Sequence, residues 1–243
     1  PLTEEQLGRL GPAIQGILRR SKKGTGILLD LAGSGDEVYV PAKLVRKYSL
    51  VEGARIVGPL AEGKRGPEVA GVDSGCGLGP EEYQSRTPFR QLVAIDPLER
   101  FLLADSGDPG MRLIDLVAPI GKGTRGLIVS PPKAGKTMLL EQIAQAIQAA
   151  APGTRIIILL IDERPEEVTF FRRALPGAEV FASSADQRLQ EHIDLAELML
   201  AHIRTELECG HDVVLLLDSL TRLTRSFNLR GSGQGRGRTL SGG

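Results

Sequence analysis

The stretch that decides the fold is Ser130-Pro-Pro-Lys-Ala-Gly-Lys-Thr137, which stands between a short apolar run and a helix-forming run. Residues 126–129 predict a strand, and residues 137–151 carry apolar side chains spaced for one face of a helix. The octapeptide matches the phosphate-binding loop G-x-x-x-x-G-K-[ST], except that Ser130 replaces the first glycine. A chance turn before a helix is the alternative, and the flanking strand and helix argue against it.

The loop has the chemistry that a nucleotide requires. Backbone N–H groups of the loop and of the helix N-terminus would face the phosphates. Gly135 lets the backbone approach closely, Lys136 neutralises the β- and γ-phosphates, and the Thr137 hydroxyl holds Mg²⁺.

Carboxylates follow two apolar runs, at the points where predicted strands end. Asp218 closes residues 213–217, the Walker-B pattern, and could orient Mg²⁺ and its water. Asp162 and Glu163 close residues 156–161, a β-branched and leucine run typical of a strand buried on both faces. Because neighbouring strand residues point to opposite faces, at most one of this pair should aim at the nucleotide, and we choose Glu163 as the base. An ordinary polar strand end is the alternative for each position.

The wider pattern predicts two domains joined by a linker. From residue 89 onward, strands and helices alternate, including a long amphipathic helix over residues 191–209, which predicts a parallel sheet with helices on both faces. Before residue 89, short strand-like runs around a helix at 42–48 predict a small β module, a partial barrel. We expect a β-rich domain at 1–75, a linker at 76–88 and an ATPase domain at 89–243. Residues 2–20 are a helix candidate, and residues 71–80 resemble a linker.

The composition bounds the protein class. The 243 residues are 41% hydrophobic and 25% charged, which suits a globular protein with a sizeable core. Thirty basic and thirty acidic residues give a net charge of +0, so nucleic-acid binding would need local patches. Two cysteines exclude a disulfide framework: Cys209 is expected to be at least partly buried, and Cys76 has no evident role. The three histidines are expected on the surface. Without a signal peptide or a long apolar run, we expect a cytoplasmic protein.

Residues 219–243 form a basic, glycine-rich tail. They contain five arginines and no acidic residue, so the tail could follow a phosphate backbone. A solvated loop is the alternative.

Three stretches together resemble one family, the bacterial transcription termination factor Rho. They are Met111-Arg-Leu-Ile-Asp through Gly-Lys-Thr-Met-Leu-Leu140, Leu159-Leu-Ile-Asp-Glu-Arg-Pro-Glu-Glu-Val-Thr169 and Leu216-Leu-Asp-Ser-Leu-Thr-Arg-Leu-Thr-Arg225. The resemblance is strong from about residue 89 and fainter over 24–88. It implies a RecA-like P-loop ATPase preceded by an OB or cold-shock-like β domain. It also implies a homohexamer that uses ATP and Mg²⁺ to move along single-stranded RNA and release transcripts from RNA polymerase.

The resemblance assigns roles residue by residue. Glu163, Lys136 and Asp218 match catalytic positions, and Thr137 and Asp218 match the Mg²⁺ site, Asp218 through water. Nucleotide contacts match Lys133, Ala134, Gly135, Lys136, Thr137 and Met138. The segment Gly237-Arg-Thr-Leu-Ser-Gly-Gly243 is similar to the family's pore RNA loop, which implies RNA contacts by Arg236, Arg238 and Thr239, with Arg238 where the family usually has lysine.

Two departures from the family pattern qualify these expectations. The stretch at residues 24–31, which matches the family's base-stacking segment, contains no aromatic residue, so the β domain is expected to be degenerate. The chain begins at Pro1 and stops before the region of the family's arginine finger and adenine-stacking aromatic. We therefore expect a fragment that alone hydrolyses ATP weakly or not at all.

Two other functions stay open at this point. One is a nucleotide-binding regulator or inactive relic without motor activity. The other is a rotary ATPase subunit, against which the Pro-Pro-Lys and Asp-Glu-Arg-Pro stretches argue.

Overall fold

The computed structural model describes residues 12–30, 37–63, 66–131 and 133–232. The chain divides into two compact units. The first unit comprises the described residues up to Leu92 together with Glu197–His211, and the second comprises Val93–Ala196 and the described residues from Asp212 onward. Within the described residues, no helix combines the length and apolarity that crossing a membrane requires.

The first unit is built on a barrel-like sheet. Its elements are β1 (Ala13–Arg20), β2 (Gly26–Asp30), β3 (Val38–Val40), α1 (Ala42–Lys47), β4 (Arg55–Gly63), β5 (Gly66–Val69), β6 (Ser74–Gly75) and α2 (Pro80–Gln84). Strand β1 pairs antiparallel with both β2 and β4, and β3 pairs parallel with β5. The pairing circuit β1-β2-β3-β5-β4 therefore returns to β1, which confirms the prediction of a small barrel-like β module.

The core of this unit lies inside the sheet circuit. Burial alternates along β3, as the two-residue period of a strand requires, whereas β1 has three consecutive buried residues. Buried apolar side chains from β1 to α2 form one cluster that includes Leu18, Leu28, Val40, Leu44, Ile56, Val69 and Tyr83.

Two expectations for this unit are wrong. Residues 13–20 form a strand rather than the end of a helix, because they pair with β2 on one side and β4 on the other. Gly16 allows the close approach of β2, where a Cβ would meet the Leu29 carbonyl oxygen at 2.8 Å. Residues 1–11 lie outside the described residues. Ser74 and Gly75, expected within a linker, pair with β4 instead, and Cys76 after them is fully buried.

The C-terminal part of a long helix completes the first unit. In helix α6 (Leu189–Glu208), residues 202 and 206 lie one turn apart and are both fully buried. The His202 Nδ1 atom lies 2.8 Å from the Gly53 carbonyl oxygen, and the buried Glu206 carboxylate contacts Arg55 and His211 at 3.6 Å and 2.6 Å. The prediction of surface histidines is therefore wrong for His202, and also for His192, which is 3% exposed.

The second unit contains a parallel three-stranded sheet. Its elements are α3 (Pro109–Val117), α4 (Lys136–Ala150), β7 (Arg155–Glu163), α5 (Pro165–Ala174), β8 (Glu179–Ser184), the start of α6, β9 (Val213–Asp218) and α7 (Leu220–Ser232). The strand order is β8-β7-β9, with both pairings parallel. Residues 156, 158 and 160 of β7 pack into a cluster with α4, and the alternate residues 157, 159 and 161 are also buried. The predicted strand buried on both faces is confirmed.

The strand expected before the phosphate loop is absent. Residues 125–131 have no regular structure, and Leu127 and Val129 are 72% and 84% exposed. An apolar run becomes a strand only beside a pairing partner. Among the described residues, no strand pairs with this run or with the outer edge of β9.

We predict that Gly53→Ala destabilises the first unit severely. Gly53 has φ +80° and donates its N–H to the Leu18 carbonyl at 2.8 Å, and an added Cβ would meet the His202 nitrogen at 2.2 Å. The backbone must then shift, so the free energy of unfolding should fall by about 3 kcal/mol or more. Urea unfolding followed by circular dichroism measures this change.

Gly24→Ala is the matched control. Gly24 has φ +79°, but a Cβ there meets nothing within 4 Å. An alanine there incurs only the cost of a left-handed backbone, so the free energy of unfolding should fall by about 1 kcal/mol. Equal losses for the two variants would contradict the close packing of Gly53 on the helix.

Candidate nucleotide-binding site

The phosphate loop has left-handed backbone at two positions. Lys133 has φ +63° and Gly135 has φ +88°, and α4 begins directly after them at Lys136. A Cβ on Gly135 would meet no protein atom within 4 Å, and the left-handed backbone there favours glycine. Left-handed residues in a turn direct successive backbone N–H groups toward one side. These groups lie next to the unpaired N–H groups of the first helical turn. The result is a site suited to an anion.

An ion pair joins the loop to the end of the sheet. The Lys136 ammonium donates to Asp218 Oδ1. Asp218 is the last residue of β9, lies level with Leu160 of β7 and is 2% exposed. The structure therefore brings together two of the predicted site residues, from positions 82 apart in the chain.

Two carboxylates end β7, and a bulge places them together. The register between β7 and β8 shifts after Ile161, where Asp162 has φ +58° and its N–H donates to Ser183 Oγ at 3.3 Å. Arg222 Nη1 then lies 3.5 Å from Glu163 Oε1 and 3.9 Å from Asp162 Oδ2. Both carboxylates therefore lie near one guanidinium, because a bulge interrupts strand alternation; that at most one of them aims at the nucleotide stays a prediction.

Glu163 lies in an environment that favours a base. It is 4% exposed, and this burial raises the pKa of its carboxyl group. The Arg222 guanidinium opposes the rise in pKa, whereas Glu167 and Asp218 add to it. A carboxylate with a raised pKa accepts a proton more readily, as a general base must.

The residues present fit a magnesium ion. Asp218 offers a buried carboxylate whose charge is balanced by Lys136, and Thr137 offers a hydroxyl in the first turn of α4. Mg²⁺ is usually held by one or two such oxygens together with substrate phosphates and water. Among the described residues, no group of three or more His, Cys, Asp or Glu side chains could hold a metal by itself.

The remaining predicted contacts divide into two groups. Lys133, Ala134 and Gly135 are exposed on the loop, and Met138 is 61% exposed, so all four are accessible to a ligand. Arg236, Arg238 and Thr239 lie outside the described residues. A surface groove of about 690 Å³ along α5 contains none of these predicted positions.

Arg222 is the site residue that sequence analysis missed. The sequence presented it as one arginine of a basic tail, but it stands in the first turn of α7 beside both carboxylates. Its N–H also donates to Ser219 Oγ at 3.2 Å, which caps the start of this helix. Its position four residues after Asp218, one helical turn away, is the signal that could have identified it.

The fold and the site define a P-loop nucleotide-binding α/β protein. The model of the ATP synthase alpha/beta family, nucleotide-binding domain, matches residues 110–233, which include the loop, both carboxylate strand ends and Arg222. The chain belongs to this family.

Two curated relatives of this chain carry the same name. Transcription termination factor Rho of Micrococcus luteus is 44% identical over 225 residues, 86% of this chain and 32% of that protein. Rho of Haemophilus influenzae is 40% identical over 240 residues, 94% of this chain and 56% of that protein. The resemblance to the Rho family is thereby confirmed, and the chain spans about a third to about half of the length of these relatives.

A solved structure supports the fold alone. An ATPase of the type III secretion system of pathogenic bacteria matches with a TM-score of 0.52 and 23% identity. The match covers 76% of this chain and 48% of that protein.

We predict that Lys136→Ala lowers ATP affinity. The change removes a charged hydrogen-bond partner of the phosphates, worth ~1.5–3 kcal/mol, so affinity should fall by roughly ten- to a hundredfold. Isothermal titration with ATP and Mg²⁺ measures it. Lys43→Ala, an exposed lysine on α1, is the control and should bind as the unchanged protein does. If the Lys136→Ala protein bound ATP as tightly as the unchanged protein, the assignment of the phosphate loop would be wrong.

Proposed function

We propose that the chain is part of an ATP-dependent RNA translocase of the Rho type that terminates transcription. The observation that carries the proposal is the convergence of Lys136, Asp218, Glu163 and Arg222 at one edge of the sheet beside the phosphate loop. Relatives named transcription termination factor Rho, at 38–44% identity over most of the chain, support it. The intact ion pairs do not favour an inactive relic, which has no physical need to keep them. The names of the relatives do not favour a rotary subunit.

The mechanism assigns one task to each group. ATP phosphates lie against the loop N–H groups of residues 133–138, with Lys136 at the β- and γ-phosphates. Thr137 and Asp218 would hold Mg²⁺, Asp218 through water, and the ion would supply positive charge to the phosphates. Glu163 orients the attacking water and accepts its proton. Arg222 lies against Glu163 and holds the carboxylate in its charged form.

The first unit fits an OB-type module. Its five-stranded circuit, with α1 between β3 and β4, supports this assignment. The outer side of β2 presents Ile27 and Leu29, each 39% exposed, and Ile27 lies opposite Tyr39 of β3. Aliphatic side chains lack the stacking that is worth ~1–3 kcal/mol per base, so we propose that RNA is held here weakly.

The proposed partners are those that the resemblance to the Rho family implies. We propose single-stranded RNA as the track, RNA polymerase as the target, a homohexamer as the assembly and the cytoplasm as the compartment. In this proposal Arg236, Arg238 and Thr239 contact the RNA. Because the relatives are longer than this chain, the tests of ATP hydrolysis and RNA binding use the complete protein.

We predict that Glu163→Gln lowers turnover about 10²–10⁴-fold while ATP binding persists. The amide keeps the shape but cannot accept the proton. In the unchanged protein, turnover should fall on acidification at a higher pH than an ordinary glutamate gives, because the pKa of Glu163 is raised and its protonated form is inactive. Steady-state ATP hydrolysis across a pH series from acidic to mildly basic buffer measures both effects.

Asp162→Asn is the matched control for this variant. It removes the other carboxylate beside Arg222 but leaves Glu163 in place. Its turnover should stay within about tenfold of the unchanged protein, below the loss expected for a positioned base. If the Asp162→Asn protein loses turnover and the Glu163→Gln protein keeps it, the base is Asp162.

We predict that polycytidine RNA stimulates ATP hydrolysis and that changing both Arg236 and Arg238 to Ala abolishes the stimulation. Each neutralised phosphate of a single strand adds about −0.7 to the slope of log affinity against log salt, so the double variant should flatten the slope by about 1.4. Changing Arg172 and Arg173, exposed on α5, to Ala removes the same charge and is the control. Coincident slopes for the Arg236/Arg238 variant and the unchanged protein would show that the tail does not hold RNA.

A further inference from the structure

The two cysteines of the chain lie far apart in sequence but meet in the first unit. Cys76 lies in the turn between β6 and α2 and is fully buried. Cys209 directly follows the last residue of α6, is half-buried and packs against the same core cluster as Cys76. Each thiol shifts the pKa of the other, so the two side chains lie close together. Since the sequence contains no third cysteine, each thiol has one available partner for a disulfide within the chain.

Both sulfurs stand on backbone that is held in place. The Cys76 N–H donates to the Arg55 carbonyl of β4 at 2.7 Å. The Cys209 N–H donates to the carbonyls of Thr205 and Glu206 at 3.1 Å. Next to Cys209, the Glu208 carboxylate accepts from Arg86 at 2.8 Å and from the Phe89 N–H at 2.9 Å, which ties the helix end to the segment after α2.

The surroundings of the two thiols shift their pKa values in opposite directions. The neighbouring Cys76 thiol lowers the pKa of Cys209, and the Cys209 thiol together with burial raises the pKa of Cys76. The nearby Arg86 also lowers the pKa of Cys209, whereas Glu206 raises it for both thiols. A partly exposed thiol whose pKa is lowered, beside a fully buried thiol, is the arrangement of an attacking and a resolving cysteine.

We propose that Cys76 and Cys209 form a redox pair that a hydroperoxide converts into an intramolecular disulfide. The Cys209 thiolate attacks one peroxide oxygen, the O–O bond breaks, and Cys209 becomes a sulfenic acid while hydroxide leaves. The Cys76 sulfur then attacks the Cys209 sulfur, the S–O bond breaks, and water leaves. With hydrogen peroxide, the two thiols lose two electrons and two protons, and the peroxide becomes two waters.

The disulfide would tie the turn after β6 to the end of α6. It would close a covalent loop around most of the chain, in addition to the ion pair between Arg86 and Glu208. A cross-link of this kind restricts the unfolded chain more than the folded one, so the oxidised first unit should be more stable. A dithiol reductant reverses the change.

The test treats the reduced protein with hydrogen peroxide and maps its thiols by alkylation and mass spectrometry. The expected product contains a disulfide within one chain, between the tryptic peptides of residues 66–86 and 205–222, and migrates as a single chain in non-reducing denaturing electrophoresis. Both thiols should disappear together, the Tm should rise, and dithiothreitol should restore the thiols and the original Tm. Disulfides found only between molecules, or a Cys76 thiol that stays free while Cys209 is oxidised, would overturn the proposal.

Single variants separate the two roles. In the Cys76→Ser protein, Cys209 should stop at the sulfenic acid and be trapped by dimedone. In the Cys209→Ser protein, Cys76 should stay reduced at the same peroxide dose. Circular dichroism before oxidation shows whether each variant is folded, and Cys76→Ala replaces Cys76→Ser if the buried hydroxyl prevents folding. Oxidation of Cys76 in the absence of Cys209 would contradict the assigned order.

Discussion

The pairing of β7 with a parallel strand on each side is the constraint on which the site depends. Its residues 156–161 are at most 2% exposed, so both faces are covered and both edges are bonded. Parallel strands reach the same edge of a sheet at their carboxyl ends. Asp218 of β9 therefore lies level with Leu160, and Ser183 of β8 lies level with Ile161. The residues at the carboxyl ends of these three strands therefore lie at the same edge of the sheet.

Burial of acidic groups at that edge requires compensating charge. A buried carboxylate without a partner is strongly destabilising. Asp218 is compensated by Lys136 and Glu163 by Arg222, and each cation lies in the first turn of a helix that follows a loop or strand end. In the proposed mechanism Lys136 turns its charge to the phosphates. Asp218 then needs another positive charge, which explains why a Mg²⁺ ion and a nucleotide would bind together.

The sequence predicted the parts of the fold that rest on local pattern. The strand at 156–161 was recognisable from its unbroken apolar run. The helix after Gly135 was recognisable from apolar residues spaced for one helix face. The bulge at Asp162 was not, because strand alternation gives no sign of an inserted residue. The burial of His202 was hidden for a different reason. Its partner, the Gly53 carbonyl, is 149 positions away, and no local pattern records a contact of that range.

The geometry of Arg222 also explains how a buried glutamate could stay useful as a base. At 4% exposure, Glu163 alone would favour its neutral form, which cannot accept a proton. Arg222 Nη1 opposes this from 3.5 Å, beyond the roughly 2.7–2.9 Å of a charge-assisted hydrogen bond. The guanidinium thus stabilises the charge without occupying a lone pair at bonding distance. The same guanidinium lies 3.9 Å from Asp162 Oδ2, and dividing its charge between two carboxylates weakens its effect on the pKa of Glu163. Glu163 Oε2 also accepts from the Arg164 N–H at 3.4 Å, which favours the charged form as Arg222 does, yet burial keeps the pKa above that of an ordinary glutamate.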